Sequence, residues 1–154
     1  MGNQKYNFQY CQKIVILSKD KTKVLLAKRK GEEDFDGIYS FIGGKMETGD
    51  TSIISGLKRE KDEEIGIDCK LNLFVNFSHN LEYITNAEDY MILPHYLAIY
   101  ESGEIKLNEE YSDYKWIEIS KLDNFEPKIK TILNVVNKIL ELEKISKEKD
   151  FILI

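Results

Sequence analysis

A glycine turn that leads into a helix dense in carboxylates is the feature that most constrains this chain. The segment comprises residues 43–50 (GGKMETGD) and 59–67 (REKDEEIGI). Glu60, Glu63 and Glu64 are spaced i, i+3 and i+4, so a helix places all three on one face. Neighbouring glutamates repel one another unless a cation offsets their charge. The segment therefore predicts a site for a hard divalent cation and a phosphate-bearing ligand.

The bulk composition is that of one ordinary globular domain. The chain has 154 residues, of which 42% are hydrophobic and 32% charged, so a single domain over residues 1–154 is expected. Its net charge of −5 argues against stable binding to nucleic acid. No apolar run approaches the roughly 20 residues of a membrane span, and the start lacks a signal-peptide pattern. We expect no membrane contact and a cytoplasmic location, with Cys11 and Cys69 as buried thiols.

Apolar runs and turn signals alternate along the chain and predict its secondary structure. A first helix follows the double glycine, with Thr51 or Asp50 as its cap and Gly66 at its end. A second, amphipathic helix is predicted at about 127–145 from apolar residues at helical spacing. The predicted strands are residues 14–17, 24–27, 38–42, 71–84, 91–100 and 114–119. This order predicts an α/β fold with a mixed sheet covered by helices on both faces.

The last residues of the chain, 150–154, form a short tail that is apolar from Phe151 onward. Three interpretations stay open for it. It adds an edge strand to the sheet, it contacts a partner, or it is disordered.

On these residues, the segment resembles the Nudix (MutT-like) hydrolase box, G-x5-E-x7-R-E-U-x-E-E-x-G-U, in which U is a bulky apolar residue. The match covers residues 44–67, and its R-E-x-x-E-E-x-G-U half is intact. Three departures occur: Asp50 replaces the first Glu, eight residues instead of seven precede Arg59, and Lys61 replaces the first U. We expect the extra residue between Asp50 and Ser55, and the Lys61 ammonium in water.

The resemblance implies an α/β/α sandwich with a metal site at the box. Its ligands are then the carbonyl of Gly44 and the carboxylates of Glu60, Glu63 and Glu64, holding Mg²⁺ or Mn²⁺. Arg59 orients the neighbouring carboxylates through charge-assisted hydrogen bonds. A solvated helix face with i,i+4 ion pairs is the structural alternative for the same residues.

A loop before a later strand offers one more carboxylate. Residues 108–111 (NEEY), with Trp116 after them, resemble the family's N-E-E-H…W segment, and Tyr111 takes the place of His. Glu110 is the candidate for an auxiliary ligand or for the base that activates water. An exposed loop glutamate without a role is an equally good interpretation. Glu47, in the box loop, is a weaker candidate.

Substrate contacts are predicted near the box. Lys28 and Arg29, at a strand end, are candidates to bind phosphate, and a solvated charged turn is the alternative. Tyr39 and Phe41, just before the double glycine, are candidates to stack on a base, as is Tyr83.

The resemblance implies metal-dependent hydrolysis of a phosphoanhydride bond in a small molecule that contains a nucleoside diphosphate. The leading expectation is a nucleoside triphosphate pyrophosphohydrolase that releases a monophosphate and pyrophosphate. Hydrolysis of ADP-ribose, a nucleotide sugar or a dinucleoside polyphosphate is the alternative within the same class. The three departures motivate a different class, a catalytically quiet nucleotide-binding sensor. A protein-interaction domain that uses the tail, and a homodimer, also stay open.

Overall fold

One mixed, eight-stranded sheet forms the centre of the computed structural model, which describes residues 7–154. Two α-helices accompany the sheet, α1 (Ile53–Ile65) and α2 (Ile132–Ile145). Short 3₁₀ segments lie at Ile119–Asn124 and Glu148–Asp150. The strands are β1 (Gln9–Leu17), β2 (Lys23–Arg29), β3 (Tyr39–Ser40), β4 (Ile42–Lys45), β5 (Lys70–Ile84), β6 (Tyr90–Ser102), β7 (Tyr111–Glu118) and β8 (Phe151–Leu153).

The strand order is β3-β2-β1-β6-β5-β8, with β4 also paired to β1 and β7 to β2. The long β1–β6 pair is parallel and the other pairs are antiparallel. Leu57 and Ile65 of α1 belong to the core on one side of the sheet, and Val136 and Ile139 of α2 to the core on the other. The expected α/β sandwich with a mixed sheet is therefore confirmed.

The N-cap of helix α1 lies one residue after Thr51 and two after Asp50, the two predicted caps. Ser52 is the cap, because its hydroxyl accepts the Ser55 N–H at 3.0 Å and the Ser55 hydroxyl accepts the Ser52 N–H at 2.9 Å. The prediction of Thr51 or Asp50 was wrong, since the Asp50 carboxylate is used by Arg59. A reciprocal Ser–Ser pair is a weaker sequence signal than an acidic cap.

Helix α1 is uninterrupted from Ile53 to Ile65, and Gly66, with φ of 95°, ends it as predicted. The extra residue of the box is accommodated ahead of the helix. The three glutamates therefore keep a regular helical register toward β4.

Helix α2 begins at Ile132, later than the predicted start near 127. The reason is a backbone pairing with β3: Tyr39 donates its N–H to the Pro127 carbonyl at 3.0 Å, and Ile129 donates to the Tyr39 carbonyl at 3.2 Å. Ile129 still packs on the core, so it mimics the helical spacing without being helical. No helix within residues 7–154 is long and apolar enough to cross a membrane.

The tail forms an edge strand, one of the three interpretations left open. Leu71 and Ile154 exchange two backbone hydrogen bonds, at 3.0 and 2.9 Å, and the Phe151 ring lies 5.5 Å from that of Phe74. Elsewhere in the sheet, Trp116 of β7 packs edge-on against Tyr100 of β6, with ring centroids 5.6 Å apart.

Lys61 is fully buried, and the expectation that its ammonium reaches water was wrong. Its Nζ donates to the Cys69 carbonyl at 2.8 Å and to the Gly66 carbonyl at 3.4 Å, and it pairs with an oxygen of Asp62 at 2.5 Å. The two carbonyls lie just beyond the C-terminus of α1, where the helix dipole favours a cation. A lysine is therefore accommodated in the apolar position because it has three oxygen partners there.

Replacing Lys61 with Ala should lower the free energy of unfolding by roughly 2–4 kcal/mol, because a cavity and two carbonyls without a donor remain. Lys61→Met keeps most of the buried volume and should cost about half as much. Urea denaturation of both variants and the wild type measures the difference. Equal stability of Lys61→Ala and the wild type would show that the buried ammonium contributes nothing.

Candidate active site

Strand β4 brings the double glycine against the glutamates of α1. The Gly43 N–H donates to Glu64 Oε2 at 2.7 Å. A Cβ on Gly44 would lie 2.5 and 2.6 Å from the two carboxylate oxygens of Glu60. Only glycine leaves room for this carboxylate against the backbone.

Glu64 is the most buried carboxylate of the site, with 3% of its surface exposed. Its Oε2 accepts both the Gly43 N–H and, at 3.1 Å, the hydroxyl of Tyr111. Burial raises the pKa of Glu64 to about 8, although the nearby charge of Lys13 and the Gly43 N–H act against that rise. Within residues 7–154 its Oε1 makes no hydrogen bond, so this is the oxygen left for a ligand.

Arg59 ties four carboxylates of the box together. It binds both oxygens of Asp50, at 2.8 and 3.0 Å, and its Nη1 reaches Glu60 at 2.9 Å and Glu63 at 3.2 Å. Nη1 also lies 3.5 Å from Glu47. The hydrogen bonds from Arg59 lower the pKa of Asp50 to about 2, so it is ionised. Asp50 thus provides the carboxylate for Arg59 at the position where the box has Glu.

Glu60 and Glu63 differ in their surroundings. Glu60 is 7% exposed, and burial raises its pKa while the hydrogen bond from Arg59 acts against that rise. The Glu63 side chain is 52% exposed, and within residues 7–154 it is bound only to Arg59. Glu63 is therefore the least constrained of the three.

A lysine that the sequence analysis missed faces the same carboxylates. Lys13 lies opposite Gly43 in the β1–β4 ladder and donates from Nζ to the Gly43 carbonyl at 3.2 Å. Burial raises the pKa of Glu60 and Glu64, and the charge of Lys13 acts against that rise. A single lysine in an apolar strand belongs to no sequence motif. Its one available signal was its position two residues after Cys11, because residues i and i+2 of a strand share a face and Cys11 also lines the pocket.

Tyr111 is the second residue that sequence reasoning missed. Tyr111 is the first residue of β7 and is buried, and its hydroxyl donates to Glu64. The preceding Glu110 is exposed, lines the same pocket and accepts a hydrogen bond from the Asn108 amide at 3.2 Å. The available signal was a tyrosine in the histidine position of the loop segment.

A pocket of about 1170 Å³ is lined by both these carboxylates and aromatic rings. In this lining the Phe35 and Tyr83 rings lie 5.6 Å apart, and Phe41 meets His95 at the same distance. Burial lowers the pKa of His95 to about 4, so its ring is neutral at pH 7. The pocket can therefore hold a charged group and a flat ring at once.

The comparison with known families agrees with this arrangement. A family model described as NUDIX domain matches residues 12–136. The chain belongs to the Nudix family. It is a Nudix hydrolase, and enzymes of this family generally use divalent metal ions.

Individual relatives are similar over most of this Nudix domain. The nucleoside triphosphatase NudI of Escherichia coli O139:H28 (strain E24377A / ETEC) is 31% identical over 104 residues, 63% of this chain and 73% of the relative. Two solved structures share the fold. The MutT protein of Methanosarcina mazei Go1 has a TM-score of 0.72 at 21% identity, covering 92% of this chain and 99% of that one. The NUDIX domain of Shewanella oneidensis NrtR, complexed with ADP ribose, has 0.70 at 17%, covering 90% of each.

The residues of the box fit a hard divalent cation in kind. They offer carboxylate oxygens, the free Oε1 of Glu64 and the glycine space beside Glu60. Among residues 7–154, however, no three side chains of His, Cys, Asp or Glu are already arranged around one ion position. Arg59 binds Glu60 and Glu63 in this arrangement, and the Glu63 side chain is exposed.

Some of the residues predicted to contact the substrate line this pocket, and others do not. Arg29 and Phe41 line it, and Lys28 does not. Tyr39 also lies outside the pocket lining, because its ring is in the core against Phe125 and its hydroxyl donates to Asp113 at 2.5 Å. The tyrosine before the double glycine is therefore a packing residue.

Arg29 is held at the pocket by an ion pair with Glu32. Its Nε is buried and has no hydrogen-bond partner within residues 7–154. An unused donor on a charged group that lines the pocket suits an anionic ligand.

Removing the Tyr111 hydroxyl tests how Glu64 is held. Tyr111→Phe should lower kcat about tenfold, because one of two donors that fix Glu64 is lost, with a stability change of about 1 kcal/mol. Steady-state kinetics and thermal melting of the variant measure both. Tyr100→Phe is the matched control, since its hydroxyl binds the Gly103 carbonyl away from the site. An unchanged kcat in Tyr111→Phe would contradict the positioning role.

Proposed function

We propose that this Nudix hydrolase cleaves a phosphoanhydride bond in a small nucleotide, with a nucleoside triphosphate as the substrate and a monophosphate and pyrophosphate as the products. The observation that carries the proposal is that one pocket is lined by both the carboxylates of the box and aromatic rings. Phosphates suit the carboxylates when a cation is present, and a nucleobase suits the rings.

The carboxylates Glu60, Glu63 and Glu64, with the Gly44 carbonyl, are proposed to hold Mg²⁺ or Mn²⁺. When bound, the ion supplies positive charge that neutralises phosphate oxygens and makes water a better nucleophile. Arg59 keeps the carboxylates in place.

Residues of the chain supply the remaining roles in this proposal. Arg29, with its free Nε, binds phosphate oxygens, and Phe41 with Tyr83 packs on the base. A water oxygen forms a bond to phosphorus, the anhydride P–O bond breaks, and pyrophosphate leaves with that electron pair. The proton of the water passes to Glu110, whose carboxylate accepts a hydrogen bond from the Asn108 amide.

The choice of a triphosphate is supported by one relative. NudI of E. coli is named a nucleoside triphosphatase, and its 31% identity extends over 104 residues. The NrtR domain was solved with ADP ribose, which keeps ADP-ribose as the alternative substrate.

A substrate panel with product identification tests the proposal. Purified protein is assayed with Mg²⁺ and with Mn²⁺ on nucleoside triphosphates, ADP-ribose, nucleotide sugars and dinucleoside polyphosphates, with a chelator as the control. We expect a monophosphate and pyrophosphate from triphosphates. Release of a diphosphate and orthophosphate, or turnover of ADP-ribose alone, would contradict the proposal. Nucleotide binding without any turnover would favour the sensor.

A further inference from the structure

Lys13 places a positive charge of the chain itself beside the carboxylates of the box. Its ammonium donates to the carbonyl of Gly43, and the N–H of the same residue holds Glu64. Lys13, Glu60 and Glu64 all line the pocket. One strand thus delivers a cation to the pocket that the glutamates line.

The ammonium of Lys13 is bound less strongly than the guanidinium of Arg59. Within residues 7–154, Lys13 has no carboxylate oxygen within the 4.0 Å of an ion pair, and its one hydrogen bond is to a neutral carbonyl. Arg59 makes hydrogen bonds to three carboxylates and to the Lys45 carbonyl. A flexible stem with one neutral partner can move aside, whereas Arg59 is fixed.

We propose that Lys13 is an internal counter-cation of the carboxylate site, which a divalent ion must displace in order to bind. This inference rests on the proposed metal-dependent function. Glu60 and Glu64 are buried one turn apart on α1, so a carboxylate that is ionised there without a bound ion needs a counter-charge. Lys13 compensates them in part and lowers the affinity for the ion by the same electrostatic interaction.

The competition has two measurable consequences. Without Lys13 the divalent ion should bind about tenfold more tightly, which is about 1.4 kcal/mol. The ion-free protein should also be less stable, because the buried carboxylates lose their counter-charge. Saturating metal should therefore raise the melting temperature of Lys13→Met by more than it raises that of the wild type.

Isothermal titration calorimetry with Mn²⁺ and with Mg²⁺, without nucleotide, measures the first consequence on the full chain. Thermal melts in chelator and in saturating metal measure the second. Lys45→Met is the matched control, since Lys45 lines the same pocket, its side chain is exposed, and the change in charge is identical. We expect tighter binding in Lys13→Met and a change of less than twofold in Lys45→Met.

Three results would overturn the proposal. They are unchanged affinity in Lys13→Met, weaker affinity in Lys13→Met, or an equal gain in Lys45→Met, which would indicate only the change in net charge. Lys13→Gln repeats the experiment if Lys13→Met fails to fold. Absence of metal binding by the wild type would contradict the metal-dependent function itself, whereas wild-type binding with no effect of Lys13 rejects only this inference.

Discussion

Replacing Glu64 with Gln will lower kcat on the order of a thousandfold and leave the fold intact. A loss of this size is typical when a positioned catalytic group is removed. The amide oxygen of Gln can still accept the Gly43 N–H and the Tyr111 hydroxyl that now bind Oε2. Its NH₂ group replaces Oε1, and that group can neither ligate a cation nor accept a proton. The variant therefore removes the chemistry of the carboxylate and keeps its packing.

Glu63→Gln is the matched control for this change. It removes the same charge from the same helix, but Glu63 is half-exposed and, within residues 7–154, bound only to Arg59. We expect a loss of about tenfold, since a less constrained ligand is more easily replaced by water. Steady-state kinetics at saturating metal, with circular dichroism to check folding, compares the two variants. Equal losses would show that total charge, and not the buried position of Glu64, sets the rate.

Replacing Arg59 with Met will destabilise the protein by about 2–3 kcal/mol, and turnover will fall with it. Removing one partner from a buried charge network costs about 3–5 kcal/mol, and the Arg59 side chain is partly solvent-accessible, which reduces that cost. Asp50 and Glu60, both buried side chains, would lose their hydrogen-bonded counter-charge. Urea denaturation at pH 7 measures the loss. A variant as stable as the wild type would show that this network contributes nothing.

The stability that the Asp50–Arg59 pair contributes decreases as the pH is lowered. In the folded protein the pKa of Asp50 is lowered from 3.8 to about 2 by Arg59 and the Glu47 N–H. Its contribution to stability is therefore present above about pH 4 and is lost as the pH falls toward 2. The stability difference between wild type and Arg59→Met should shrink across that window. Asp50→Asn removes the titrating group and should lose this part of the pH dependence.

The fold and the carboxylate face were predictable because their signals are local. Glycines in sequence before a helix, and glutamates at i, i+3 and i+4, place Gly44, Glu60 and Glu64 without any knowledge of distant contacts. Strand positions followed from apolar runs for the same reason. A long motif adds to this because its spacing excludes most chance matches.

Two of the errors concern partners that lie outside the residue's own helix or strand. The Lys61 ammonium has carbonyl partners beyond the helix end, and these become visible only when the chain turns back at Gly66. Tyr39 is a core residue because of Asp113 and Phe125, which lie on other elements. Local spacing contains no information about such pairings, so each residue was assigned by type alone.

The same limit explains the two site residues that were missed. Lys13 is brought opposite Gly43 only by the antiparallel pairing of two strands. Tyr111 is 47 residues from Glu64 in the sequence. Lys13 lies outside the motif segments, and Tyr111 was interpreted only as a replacement of the family's histidine. A prediction of strand pairing would have placed Lys13 opposite the glycine turn and shown its charge there.

The position of Trp116 determines what fluorescence can report about this protein. It is the only tryptophan of the chain, and it packs against Tyr100, outside the lining of the nucleotide-sized pocket. Its emission should follow loss of the sheet during denaturation and stay nearly constant when a nucleotide or a metal ion is titrated. The wild-type protein thus carries an intrinsic probe of unfolding that is insensitive to occupancy, and binding needs a second probe placed near Tyr83.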